Sequence, residues 1–246
     1  MKRISPLILF ICLYLFIWVG MTLMLHSSTS ISLDTAENII WGMHPSLMYD
    51  KHPGLGQLFF IPFYSTFSPL LADLIAVTVC ILITWYYLFK INRLYFDTNE
   101  SMFVTLLSIL SFFYMGEFFI QYKQNIILLP VWCASAFYFI KAIETNKIVF
   151  WILTAIAVAL SVYAKFQIAL LAISMLLYIA FNFDKKYLSN ITLAVIIGTF
   201  LLVVGFISLY DTDFSTITYV TDRVSETNTG MFFNIMYSLF DSVFQW

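Results

Sequence analysis

The sequence predicts an all-α polytopic transmembrane helix bundle, and three observations predict it. Hydrophobic residues make up 61% of the chain and charged residues only 11%, more apolar surface than a water-soluble core needs. Apolar runs of about twenty residues recur, the length a helix needs to cross the hydrocarbon of a bilayer. The runs lack the period-two alternation of a lipid-facing barrel, so helices that satisfy their own backbone are the expected form. The net charge of -2, with no basic stripe, gives no support for nucleic acid as a partner. Cys12, Cys80 and Cys133 each lie inside an apolar run and read as packing residues, not as a disulfide framework or metal cluster.

About seven spans can be drawn, near 7–26, 69–89, 102–120, 126–143, 148–164, 166–182 and 190–210. Lys2 and Arg3 precede the first. That run is long for a signal peptide and no clear small-x-small site follows it, so an uncleaved helix is expected. Pro62 and Pro69 bracket a short link, and the stretch from about 55 to 64 before it is expected to be an amphipathic helix along the membrane surface. Between the fifth and sixth spans only Tyr163-Ala164-Lys165-Phe166-Gln167 is left to make a turn; the alternative is one long tilted helix.

With the N-terminus inside, eight of the 12 Lys and Arg residues (Lys2, Arg3, Lys90, Arg93, Lys141, Lys147, Lys185 and Lys186) fall on the inner face. Lys51, Lys123, Lys165 and Arg223 fall on the outer face. That bias orients the chain N-inside and places the 27–68 loop and the 211–246 tail outside. The triplets at Asn99 and Asn190 match the glycosylation sequon, but both fall on the inner face and read as chance.

The first outer loop, 27–68, concentrates titratable groups in a chain that has few: Asp34, Glu37, His44, Asp50, Lys51 and His52. Asp34 and Glu37, three apart, share one face of a helix. Two such carboxylates can divide roles or offer oxygen ligands to a divalent cation; they can equally be a helix cap, with Asp34 at the cap and Glu37 behind it. In Tyr49-Asp50-Lys51-His52-Pro53 the proline holds His52 extended, which makes the run a turn that displays a cation beside an imidazole. Such groups hold phosphate, though a solvated loop tip has the same composition. Asp34, Glu37, His44 and His52 include metal-ligand types at no diagnostic spacing, so no metal is assigned; a divalent cation stays open. Glu117 falls near a helix end in the next outer loop, close to Lys123, where an ionisable group usually faces a partner or a wet cavity.

Taken in order, Leu33-Asp34-x-x-Glu37, Trp41-Gly42 and Tyr49-x-Lys51-His52-Pro53-x-Leu55 resemble the first outer loop of GT-C superfamily glycosyltransferases. The resemblance is to the family 39 and 83 type, which includes protein mannosyltransferases and lipid A aminoarabinose transferases. Gln121-Tyr122-Lys123-Gln124-Asn125 before Leu128-Leu129-Pro130-Val131-Trp132 is similar to the opening of their fourth span, and Ala164-Lys165-Phe166 to their lysine turn. The likeness covers about residues 4–210 and is most specific over 33–58. It departs at Gly54, where the family has a second proline, and a glycine there is expected to loosen the turn.

The resemblance implies a hexosyl- or pentosyltransferase in the bacterial inner (plasma) membrane. It would move a sugar from a polyprenyl-phosphate donor to a lipid, glycan or protein acceptor on the extracytoplasmic face. It implies Asp34 as general base, with Glu37 and Glu117 as further catalytic carboxylates. Lys51, His52, Tyr49, Lys123 and Lys165 would bind substrate, the cations stabilising charge on the departing phosphate. Residues 1–210 would form the transmembrane module, with 211–246 an outer tail. Family members usually continue with more spans, so a missing C-terminal portion or a partner subunit is expected. A non-catalytic membrane subunit, a transporter or an inactive fragment is the alternative. Transporters place charges near the bilayer midplane; here they gather at the outer ends of spans, and Asp73, the nearest to an intramembrane charge, sits close to its span's start.

Overall fold

The computed structural model describes residues 11–12, 15–16, 19–20, 24, 33–109 and 122–225. Among them there is no strand, and helices follow in the order α1 (Leu33–Gly42), α2 (Leu55–Tyr64), α3 (Pro69–Asn92), α4 (Thr98–Ile109), α5 (Gln124–Thr145), α6 (Ile148–Ala164), α7 (Ile168–Phe181), α8 (Leu188–Asp211) and α9 (Ser215–Ser225). A single 3₁₀ turn, Lys185–Tyr187, precedes α8. The protein is an all-α polytopic membrane bundle. Among the described residues three helices, Pro69–Asn92, Gln124–Thr145 and Lys185–Asp211, are long and apolar enough to cross a membrane. The predicted spans near 7–26 and 102–120 fall partly outside the described residues.

Helix α3 shows why the sequence folds this way. Pro69 occupies its first turn, where the missing N–H costs nothing, and Ser68 precedes it in an extended conformation. Asp73, Ala76, Val77, Cys80, Ile81 and Thr84 recur every three or four residues and form its buried face. That face joins Phe60, Tyr122, Ile126, Ile127 and Ala164 in one core against α2 and α5.

The connections on the other side of the bundle are fastened by side chains. Asn146 ends α5 in the left-handed conformation, φ 47°, a position asparagine tolerates. Its Oδ1 accepts from Trp151 Nε1 at 3.1 Å and from Asn190 Nδ2 at 2.9 Å. Asn190, in the first turn of α8, thus packs against the α5–α6 connection.

The α6–α7 question resolves into two helices. Lys165 has φ -166° and ψ 143°, extended backbone that breaks the helix after Ala164. Nearby, the Tyr163 hydroxyl enters the α8 ladder, donating to Leu201 O at 2.5 Å and accepting from Gly205 N at 2.9 Å. A Cβ on Gly205 would lie 2.3 Å from the Tyr163 ring, so glycine permits this insertion.

Two expectations are corrected here. The stretch 55–64 is a helix at the expected bounds, but it lacks a polar outer face. Its one amide side chain, Gln57, is 0% exposed, as is Phe60, because α2 packs among α1, α3, α5 and α6. Gly54 tightens the turn instead of loosening it. Its N–H donates to Leu47 O at 2.8 Å, and Tyr49 N donates to His52 O at 3.1 Å, closing a small hairpin. A Cβ on Gly54 would lie 2.0 Å from Ser46 O. Gly54→Ala is therefore expected to lower stability by about 1–3 kcal/mol through forced backbone displacement. Gly54→Pro should be worse, since it also removes the bond to Leu47. Melting temperature in detergent checks this; an unchanged value for Gly54→Ala would show that the hairpin relaxes freely.

Past α8, residues 212–225 turn back toward the bundle. Asp213 and Phe214 both have positive φ, 50° and 57°, a conformation costing roughly 1–2 kcal/mol per residue. Phe214 offsets this by packing on Phe206 and Tyr210. The reversal sends α9 back over the first loop, where Thr216 Oγ1 donates to Tyr49 O.

Candidate active site

In a bilayer, apolar burial does little to hold helices together, and polar contacts mark the places where geometry is fixed. The buried hydroxyls of Thr84, Thr105, Ser135, Thr154 and Ser161 each donate to the carbonyl four residues back in their own helix. They are satisfied within their own helices, although Thr105 also accepts from Asn92 Nδ2 at 3.0 Å and the Ser135 and Ser161 hydroxyls meet at 3.3 Å. The buried amides and carboxylate behave differently. Asn38, Gln57, Asp73, Gln124 and Asn125 all make contacts between elements, at one end of the bundle.

Helix α1 supplies two faces to that end. Inward, Thr35 is 0% and Asn38 1% exposed. Thr35 Oγ1 donates to Asp73 Oδ2 at 2.6 Å. Asn38 Nδ2 lies 3.4 Å from Tyr122 O, and Gln124 Nε2 donates to Asn38 Oδ1 at 3.0 Å. Gln57 completes the amide cluster when its oxygen faces Gln124 Nε2, at 2.5 Å, an orientation assigned from its partners. The Tyr122 hydroxyl donates to Gly56 O at 2.9 Å. These contacts lock α1, α2, α3 and the start of α5 together.

The outer face of α1 carries the charges. Asp34 lies in the helix's first turn, not at the cap that one reading gave it. Its Oδ2 is 3.8 Å from Lys123 Nζ, with the Asp34 side chain 45% exposed. That separation is long for a charge-assisted hydrogen bond, which spans about 2.7–2.9 Å. Glu37, one turn on, binds Lys51 at 2.6 Å. The Glu37 bond raises the Lys51 pKa, against the opposing effect of its burial. Lys165 donates to Asn125 Oδ1 at 2.5 Å. Burial pushes its pKa down to about 8, and Asp34 is near enough to counter part of that shift.

Lys51 sits at the tip of the hairpin, and Trp41 supports that hairpin. The Trp41 and Tyr49 rings stack at 5.3 Å, and His52 meets Trp41 edge-on at 6.2 Å. The Tyr49 hydroxyl lies between the carbonyls of Trp41 (2.9 Å) and His44 (3.1 Å) and accepts from Ser46 N at 2.9 Å. Tyr49 is only 9% exposed; its contacts shape the loop.

The structure thus gathers Asp34, Lys123 and Lys165 in one group and Glu37 with Lys51 beside it. His52 lies against Trp41, His44 is exposed, and Glu117 falls outside the described residues. Among the described residues no three His, Cys, Asp or Glu side chains converge as a metal site. Thr35, Asn38, Gln57 and Asn125 received no role from the sequence. The signal available for them was an amide or hydroxyl in an otherwise apolar stretch, which marks a polar residue without naming its partner.

A family model described as dolichyl-phosphate-mannose-protein mannosyltransferase matches residues 65–209. No curated protein and no solved structure matches the chain. The matched region covers more than half of the sequence and holds Asp73, Lys123 and Lys165; it begins after α1 and the hairpin.

Proposed function

The chain belongs to the dolichyl-phosphate-mannose-protein mannosyltransferase family, a family of membrane glycosyltransferases, and from that premise we propose a sugar transfer at the Asp34 end of the bundle. The donor is a polyprenyl-phosphate-linked sugar, and the acceptor is a hydroxyl of a lipid, glycan or protein. The reaction takes place on the extracytoplasmic face, by the charge bias of the loops. The observation that carries this reading is the meeting of Asp34 from α1, Lys123 from the start of α5 and Lys165 from the α6–α7 break.

Asp34 accepts the acceptor's proton as its oxygen bonds to the anomeric carbon. The bond from that carbon to the phosphate oxygen breaks, and the lipid phosphate leaves with the electron pair. Lys123 and Lys165 stabilise that anion; fixed cations at a poorly hydrated site are commonly the largest catalytic effect. Lys123 Nζ faces Asp34 Oδ2 at 3.8 Å, on the side of the site where the phosphate charge is to be met. Lys51, held by Glu37, fixes the hairpin first and contacts the donor second.

This ordering gives a test. In proteoliposomes, the protein is expected to transfer radiolabel from a polyprenyl-phosphate sugar to a membrane acceptor. Lys123→Met should weaken donor binding by about 10–100-fold, the loss of one hydrogen bond to a charged group. Lys51→Met should cost less. Donor binding that survives loss of both Lys123 and Lys165 would place the phosphate elsewhere.

A further inference from the structure

The site's two opposed groups, Asp34 and Lys123, come from elements 89 positions apart in sequence, so something must set the gap between them. We infer that Asp73 is a positioning residue that sets the spacing of Asp34 and Lys123 by gripping Thr35, the residue next to Asp34, on a helix that Asn38 ties to the start of α5. Its carboxylate is 4% exposed, a costly placement unless partners hold it. One partner is Thr35 Oγ1 at 2.6 Å, adjacent in sequence to Asp34. The other carboxylate oxygen, Oδ1, is buried with no hydrogen-bond partner among the described residues; Tyr122, adjacent to Lys123, is met by Asn38 of α1, whose Nδ2 lies 3.4 Å from Tyr122 O. Asp73 therefore anchors the start of α1 on α3. One turn further along α1, the Asn38 contacts with Tyr122 O and Gln124 join that helix to the start of α5 and keep it from rotating about the Thr35 bond.

The proposal rests on the reading of Asp34 and Lys123 as reacting and phosphate-binding groups, but the spacing can be measured without it. In the full chain with Cys12, Cys80 and Cys133 replaced, Asp34→Cys and Lys123→Cys are joined by a short bifunctional thiol reagent. Adding Thr35→Val or Asp73→Ala is expected to remove most of the cross-link, and Thr35→Ser, which keeps the hydroxyl, to preserve it. In the chain with native Asp34 and Lys123, Thr35→Val is expected to lower kcat by about 10–100-fold, as small misplacements do, with little change in KM. Asp73→Asn keeps an oxygen acceptor and should stay within several-fold of wild type in both assays. An undiminished cross-link in Thr35→Val would overturn the clamp. So would an Asp73→Asn protein that cross-links normally but does not turn over, since Asp73 would then act by its charge. A fully active Asp34→Asn protein alongside a clamp-dependent cross-link would sink the base assignment and leave the clamp standing.

Discussion

Asp34→Asn is expected to lower the rate of sugar transfer by about 10²–10⁴, the usual effect of losing a positioned acid–base group. Donor binding and the fold should survive. Asparagine keeps the size of aspartate but cannot take the acceptor's proton. The structural cost can be bounded. Asp34 sits in the first turn of α1, where a carboxylate favours the helix by about 0.3–1 kcal/mol. Its pairing with Lys123 is long and half-exposed, and such pairs contribute about 0–1 kcal/mol. A loss of 10²–10⁴ in rate corresponds to about 2.7–5.4 kcal/mol at the transition state, more than those two effects together. Initial rates at saturating donor, with donor binding measured separately, distinguish the outcomes. Wild-type rates in Asp34→Asn would reduce Asp34 to a helix-stabilising residue and send the search for the base to Glu37.

The helices were legible because length and hydropathy are local. Pro69 opens α3 where a proline is tolerated, and the lone lysine between two apolar runs marks the break at 165. The resemblance also pointed to Asp34, Lys123 and Lys165, which the fold brings to one place. What the sequence could not supply was pairing across distance. Lys51 and His52 are neighbours in the chain, yet Lys51 pairs with Glu37 while His52 lies against Trp41. Asp73 read as a charge near a helix start, because nothing local announces that Thr35, 38 positions earlier, lies 2.6 Å away. Gly54 was misread for a related reason. A glycine for a proline suggests added freedom, but here the glycine supplies an N–H to Leu47 and leaves room for Ser46 O. The general rule about glycine was sound; the neighbours decided its sign.

The second large effect concerns pH. Lys165 must carry a proton to stabilise the departing phosphate, and burial sets its pKa near 8. kcat/KM reports groups of the free enzyme, so it is expected to fall above pH 8, by about tenfold per unit once Lys165 is mostly neutral. Loss of stability does not explain such a fall through this group. The folded-state pKa lies below the ordinary lysine value of 10.5, so the unfolded chain binds more protons between about 8 and 10.5. Stability contributed by Lys165 therefore rises with pH across that window, opposite to the activity. Lys165→Arg separates the cases further, since a guanidinium stays charged throughout. Its rate at pH 7 should drop, because the fork does not reproduce the ammonium's bond to Asn125, but its alkaline limb should vanish. Lys165→Met should be slow at every pH. The measurement is kcat/KM for transfer between pH 6.5 and about 9.5 in all three proteins, a range bounded above by ordinary lysine titration. An alkaline limb that persists in Lys165→Arg, or a wild-type profile flat to the upper end, would remove Lys165 from the anion site and leave Lys123 as the cation facing Asp34.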